Sequence, residues 1–210
     1  MTLFIETFIL GPIENNTYLI VDETSQSAAV IDPAAPSQAV IEKIQEKNAV
    51  LKFILLTHAH FDHIGGVKWL TRQFSTTQKV ALHQADLGLW ENGGGSKDFG
   101  FDFEPGIEPN LVLNDHNILL LGDVQINVLH TPGHTMGHVT YHLPQINTAF
   151  CGDLIFYRGI GRTDLNVSNE TDLFKSIHER ILTLPDETIL YPGHGPSTSV
   201  AQEKQNNPFL

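Results

Sequence analysis

Short apolar runs separated by turn residues dominate the first third of the chain. Residues 4–9, 17–21 and 28–32 are apolar or β-prone, with Gly11-Pro12, Asn15-Asn16 and Thr24-Ser25 between them. This pattern predicts three strands, the third ending at Asp32-Pro33. Ala39, Val40, Ile44 and Ala49 then recur at near-helical spacing, with Glu42, Lys43 and Glu46 outside and Ser37 placed to cap the helix. A strand is expected over 50–56, followed by a helix from near Asp62 through Val67, Trp69 and Leu70 to about residue 74. A short strand at 79–82 and a short helical segment at 85–90 complete this half. Strands resume at 118–121, 124–129, 139–143 and 148–151. A loop over 157–168 leads to a helix over 170–182, a last strand over 188–191 and a final helix over 198–205. The order strands–helix–strand–helix thus occurs twice, which suggests two similar halves. Two sheets packed face to face, with helices outside, would bury such elements in one core. The expected class is mixed α/β, a four-layer αββα sandwich forming one domain over residues 1–210.

Residues 91–110 differ in texture. Gly93-Gly94-Gly95-Ser96 is followed by Phe99, Phe101 and Phe103, then Pro105 and Pro109. A loop of this length inside a compact domain is more often a lid or binding loop than filler.

Composition narrows the function. Apolar residues make up 41% of the 210 and charged residues 17%, the profile of a globular chain. No apolar run approaches the ~20 residues of a membrane span, and the start, Met1 to Glu6, has no basic signal-peptide region. The single cysteine, Cys151, excludes an internal disulfide framework and suits a reducing compartment, so a cytoplasmic location and no membrane partner are expected. The net charge of -12 opposes general binding to nucleic-acid phosphates.

The chemistry concentrates in Thr57-His58-Ala59-His60-Phe61-Asp62-His63-Ile64-Gly65-Gly66, directly after the apolar run at 51–56. His58, His60, Asp62 and His63 fall at one strand-to-helix junction. Neutral imidazole plus carboxylate is the ligand set of zinc and related first-row metals. Burying so many polar groups without partners would be expensive, which leaves packing a poor explanation. Three later positions repeat the pattern of a ligand type at a strand end beside glycine: His134 after Gly133, Asp153 after Gly152, and His194 after Gly193. Glycine lets such loops approach closely and turn their ligands inward.

These motifs resemble the metallo-β-lactamase superfamily, whose signature stands here as His58-Ala59-His60-Phe61-Asp62-His63, followed by His134, Asp153 and His194. The resemblance implies an αββα fold with two divalent metals at one edge: His58, His60 and His134 on one, Asp62, His63 and His194 on the other, Asp153 bridging. Zinc leads, with iron or manganese admitted. Thr131-Pro132-Gly133-His134-Thr135, Gly161-Arg162-Thr163-Asp164 and Tyr191-Pro192-Gly193-His194-Gly195 look like glyoxalase II and its compact bacterial relatives. The chain ends about where the C-terminal helical domain of glyoxalase II would begin, so that domain's glutathione contacts cannot be carried over.

The expected activity is hydrolysis of a thioester, S-D-lactoylglutathione or a related hydroxyacylglutathione, by attack of a metal-bridging hydroxide. Asp62 would ligate and also orient that hydroxide. The alternatives are a persulfide dioxygenase with one iron, or a lactonase. The partner is then a small molecule and the protein a monomer or small homo-oligomer. Cys151 is not the nucleophile, since it lies two residues before Asp153, ~6.6 Å along a strand, and packs in the core. Asp32 either holds a ligand histidine or the motif loop from behind, or makes an Asx turn before Pro33. His138 could contact substrate or a ligand, or be a hydrogen-bonded structural histidine. Tyr157, Arg158 and Arg162 lie in the loop after Asp153, where they could meet an anionic substrate group; for Arg162 pairing with Asp164 is the alternative.

Overall fold

The computed structural model describes residues 2–74 and 78–210. Its first half builds one six-stranded sheet, in the order β1 (Leu3–Leu10), β2 (Asn15–Asp22), β3 (Ser27–Ile31), β4 (Val50–Leu55), β5 (Lys79–His83) and β6 (Leu111–Leu113). β1, β2 and β3 pair antiparallel, whereas β3 through β6 run parallel. Parallel neighbours require crossovers, and the helix α1 (Gln38–Glu46) supplies the one between β3 and β4.

The second half builds the second sheet. It contains β7 (Ile118–Leu121), β8 (Val124–His130), β9 (Val139–Leu143), β10 (Thr148–Gly152), β13 (Ile189–Pro192) and β14 (Thr198–Ser199), ordered β14-β13-β10-β9-β8-β7. Between β10 and β13 lie a small hairpin, β11 (Ile155–Phe156) with β12 (Gly159–Ile160), and a crossover helix.

Strand alternation sorts the apolar side chains into three layers. On β2, Tyr18 and Ile20 join Ile126, Val128, Tyr141 and Phe150 between the sheets. Leu19 and Val21, one residue out of phase, join Val40, Ile41, Ile44, Ile64 and Val67 beneath the first-half helices. Ala149, Cys151 and Leu190 meet Leu173, Ile177 and Ile181 beneath the second-half helix. Helices outside and two sheets inside give the expected αββα order. No helix among the described residues is long and apolar enough to cross a membrane.

Several local expectations are corrected. The helix expected from Asp62 to about 74 is two short pieces, α2 (Phe61–Ile64) and α3 (Val67–Leu70). Gly65 and Gly66 separate them, because the chain after β3 presses against that point. A Cβ on Gly65 would stand 2.2 Å from the Ala34 carbonyl oxygen, and one on Gly66 2.6 Å from that of Ala35. Ser37 precedes α1 without a side-chain capping bond. The helix over 170–182 is α4 (Glu170–Ser176), capped by Asn169, running into a π-helical turn over Ile177–Ile181. Residues 198 and 199 form β14 rather than helix, and Ser199 caps α5 (Val200–Asn206) by accepting from Gln202 N. β6 and the β11–β12 hairpin had no counterpart in the apolar pattern.

Candidate metal centre

Four connections leave the same edge of the sandwich and carry the predicted ligand types inward. The motif loop follows β4, His134 follows β8, Asp153 follows β10 and His194 follows β13. Three groups have their ligand atoms within 4.8 Å of one another: His58, His60 and His134; Asp62, His63 and His194; and Asp32 with His58 and His63, in which Asp32 lies on the far side of the two rings, bonded to His63 Nδ1. Asp153 lies between the first two, with Oδ1 3.3 Å from His63 Nε2 and Oδ2 3.7 Å from both His134 Nε2 and His194 Nε2.

The imidazoles are held from behind. Thr57 donates its hydroxyl to Asp32 Oδ2 (2.6 Å) and so accepts from His58 Nδ1 (3.0 Å). His63 Nδ1 lies 3.0 Å from the same Asp32 oxygen, His134 Nδ1 3.0 Å from the Arg162 carbonyl, and His194 Nδ1 3.2 Å from the Ile13 carbonyl. In each case Nδ1 donates outward, which fixes the ring orientation and turns Nε2 toward the centre. His60 presents Nδ1, 2.9 Å from His134 Nε2.

Three inward atoms, His58 Nε2, His63 Nε2 and Asp153 Oδ1, are buried and make no hydrogen bond, although His63 Nε2 and Asp153 Oδ1 face each other at 3.3 Å. Native interiors rarely tolerate such a cluster unless an ion or water completes it. Protonation leans the same way. Burial, then the neighbouring histidines, push His58 well below the usual histidine range, and burial followed by His134 pushes His60 down to about 3. Both imidazoles are therefore neutral, as ligands must be. Burial opposes ionisation of Asp153 and Asp62, yet His63 and its neighbours hold both carboxyls well below the usual range. Burial likewise opposes a charge on His63, but Asp153 and Asp62 hold it well above 6.5. The two carboxylates thus draw positive charge to the point where the orphaned atoms converge. The residues fit a dinuclear divalent-metal centre.

Asp32 acts behind the ligands rather than in an Asx turn. Besides His63 and the Thr57 hydroxyl it accepts from Thr57 N (2.7 Å), from a backbone at φ 46°. His138 is buried behind His58, ring centroids 5.3 Å apart, and its Nδ1 pairs with Thr131 Oγ1 at 3.0 Å. Cys151 is buried, which pushes its thiol far up, and it donates weakly to the Ile155 and Tyr191 carbonyls.

A cavity of about 450 Å³ opens onto the centre. Its wall includes His60, Asp62, His134, Asp153 and His194, and also Arg162. The Arg162 guanidinium forms a two-pronged pair with Asp164, at 2.6 and 2.7 Å. Tyr157 and Arg158, expected near substrate, do not line this cavity. Their hairpin turn points outward, with Arg158 at φ 56°, its backbone N–H bonded to Glu203 and its guanidinium over the exposed Tyr157 ring.

Asp86 had no sequence signal beyond an acidic residue in a short helical segment. It is buried, and it accepts from Ala59 N (3.0 Å), Thr135 Oγ1 (2.8 Å) and Gly137 N (2.6 Å). It therefore ties the loop carrying His58 and His60 to the loop carrying His134. The 91–110 segment also reaches the centre. Its Gly93–Phe99 helical turn lies so close to the motif that a Cβ on Gly94 would stand 2.4 Å from Phe61 N. Phe99 and Phe101 pack edge-on against Phe61, and Phe99 joins the cavity wall.

The sequence profile of the Metallo-beta-lactamase superfamily matches residues 10–194, which span both groups. The chain belongs to the metallo-beta-lactamase superfamily. Within it, the chain is 38% identical to the probable metallo-hydrolase YqgX of Bacillus subtilis, over 96% of this chain and 94% of that protein. It is 35% identical to the hydroxyacylglutathione hydrolase GloC of Haemophilus influenzae, over 98% and 97%. Among solved structures, the BLEG-1 B3 metallo-beta-lactamase superposes with a TM-score of 0.91 at 36% identity, covering 99% of each chain. A di-iron-bound form of TTHA1623 superposes at 0.86 with 37% identity, covering 98% of this chain and 100% of that one.

Proposed function

We propose that the protein is a two-metal hydrolase that cleaves a thioester, with water, to a carboxylic acid and a thiol. S-D-lactoylglutathione and related hydroxyacylglutathiones are the first substrates to test. The observation that carries this reading is the pair of three-residue ligand groups joined by Asp153 at the floor of a cavity. His58, His60 and His134 would hold one ion, Asp62, His63 and His194 the other, and Asp153 both. Bound divalent ions, zinc foremost with iron or manganese admitted by the ligand set, would lower the pKa of a water and polarise the substrate carbonyl.

The chain's own residues supply the rest. Asn15 Nδ2 donates to Asp62 Oδ2 at 3.0 Å, orienting a carboxylate that lines the cavity and can take the hydrogen bond of the attacking water. Asp32 and Thr57 keep His58 and His63 in the tautomer that faces the centre. Among the described residues, the cavity wall holds no lysine, tyrosine or cysteine to act as an acid toward a leaving group. A thiolate departs without one, an amine does not, and this favours a thioester. The sequence identity to a hydroxyacylglutathione hydrolase supports the glutathione carrier.

The test is a substrate panel on protein of measured metal content: glutathione thioesters, an acyl-homoserine lactone, a β-lactam, and glutathione persulfide with oxygen uptake. Thioester cleavage that disappears in folded His58→Ala and Asp153→Ala variants is expected. Iron-dependent oxygen consumption without thioester cleavage, or turnover unchanged in both variants, overturns the reading.

A further inference from the structure

The polar part of the cavity wall is almost wholly the ligand cluster itself. The remainder consists of Ile13, Phe61, Phe99, Phe156, Ile160 and Leu165, with Arg162 as the one additional polar residue. Most of these apolar side chains are not core. Ile13 is 49% and Phe99 54% exposed, and Phe61, Phe156 and Leu165 are half-buried around the opening, while Ile160 packs back against the second-half core. They come from four separate segments, the β1–β2 turn, the motif, the 91–110 segment and the region from the hairpin to residue 165. Apolar groups gathered from so many places around one reactive floor form a pocket for an apolar ligand. Charge recognition is weak by comparison. Arg162 spends its Nε and one Nη2 proton on Asp164, a neutralised pair in which both side chains are more than half exposed.

We infer that the protein prefers thioesters whose acyl group is apolar and larger than lactoyl, the acyl chain lying on the Phe99–Phe156–Leu165 wall. This inference rests on the thioester reading for its chemistry, but the pocket's preference can be read without turnover. Each methylene buried on that wall should raise kcat/KM about fourfold, the factor that corresponds to ~0.8 kcal/mol. A terminal carboxylate on the chain should reverse the gain, because Arg162, the cationic side chain on the wall among the described residues, is already paired with Asp164.

The experiment has two arms on the metal-loaded protein. In the first, kcat/KM is measured for acetyl-, butyryl-, hexanoyl-, lactoyl- and succinyl-glutathione. The expected result is a rise from acetyl to hexanoyl, with butyryl above lactoyl and succinyl at least tenfold below butyryl. In the second, calorimetry measures binding of the uncleavable thioethers S-methyl-, S-butyl- and S-hexylglutathione, with affinity expected to rise along the series. Phe99→Ala and Leu165→Ala, at exposed and half-buried positions, should each flatten both slopes. Hydrolysis with no dependence on chain length, or succinyl equal to butyryl, overturns the apolar preference and leaves the hydrolase reading intact. Binding that rises with chain length without any thioester cleavage upholds the pocket and sinks the hydrolase reading. Affinity that is flat or undetectable across the thioethers overturns the inference.

Discussion

Replacing Asp86 with asparagine tests how the centre is assembled without touching a ligand. Its carboxylate meets three donors from two loops: Oδ2 faces Ala59 N and Thr135 Oγ1, and Oδ1 faces Gly137 N. An asparagine carries one oxygen. In either orientation its amide nitrogen points at a backbone N–H, of Gly137 or of Ala59, and one buried donor loses its acceptor. Hydrogen bonds to a charged group contribute about 1.5–3 kcal/mol each, and an unsatisfied buried donor costs about 1–3 kcal/mol. Burial raises the Asp86 carboxyl pKa, so removing the charge returns part of this. The expected net loss is about 2 kcal/mol for Asp86→Asn and about 3–5 kcal/mol for Asp86→Ala, which strands all three donors. Because the two loops carry His58, His60 and His134, affinity for the ion at that group should also fall about 10–100-fold. Urea unfolding of the metal-free proteins at pH 7, followed by zinc competition titration, measures both. An Asp86→Asn protein within 0.5 kcal/mol of wild type, with unchanged zinc affinity, would refute the stapling role.

Gly193→Ala should disrupt the centre although it alters no ligand, because a Cβ there would stand 2.1 Å from Asp153 Oδ1 and 2.6 Å from His63 Cε1. Overpacking of this kind costs about 1–3 kcal/mol, and metal analysis should find the Asp62–His63–His194 group depleted; full occupancy would contradict a rigid contact at that point. His83 should stay neutral far into acid. Burial, then His130 stacked 4.1 Å away, lowers it to about 4, and its Nδ1 accepts from Ala85 N. Its folded pKa lies below the unfolded value, so its contribution is complete above about 6.5 and is lost as the pH falls toward 4. NMR titration of its ring protons with a midpoint near 6.5 would contradict this.

The chemistry was legible because it is local and dense. His58, His60, Asp62 and His63 sit within one turn after a strand, and glycine precedes His134, Asp153 and His194, so type and spacing marked the residues that the fold brings together. The αββα order was readable from strand lengths and the two repeated blocks. What escaped was set by tertiary contact. Asp86 looks like any acidic residue at a helix start, and only the convergence of two distant loops gives it three donors. The helix after Asp62 has a continuous apolar period, but the close approach of 34–35 leaves room only for Gly65 and Gly66. β6 is three residues long and β12 two, too short for any period to register. Arg158 was plausible by sequence proximity to Asp153, yet the hairpin turn directs it outward, while Phe99, over fifty residues away along the chain, reaches the cavity.

The central claim is that two distinct ligand groups each hold an ion. Its most direct test is metal stoichiometry by calorimetric zinc titration of the metal-free protein and of His134→Ala and His194→Ala. Two ions per chain are expected for wild type and one for each variant, with the remaining group still occupied. One ion per chain in the wild type, or two in either variant, would contradict it.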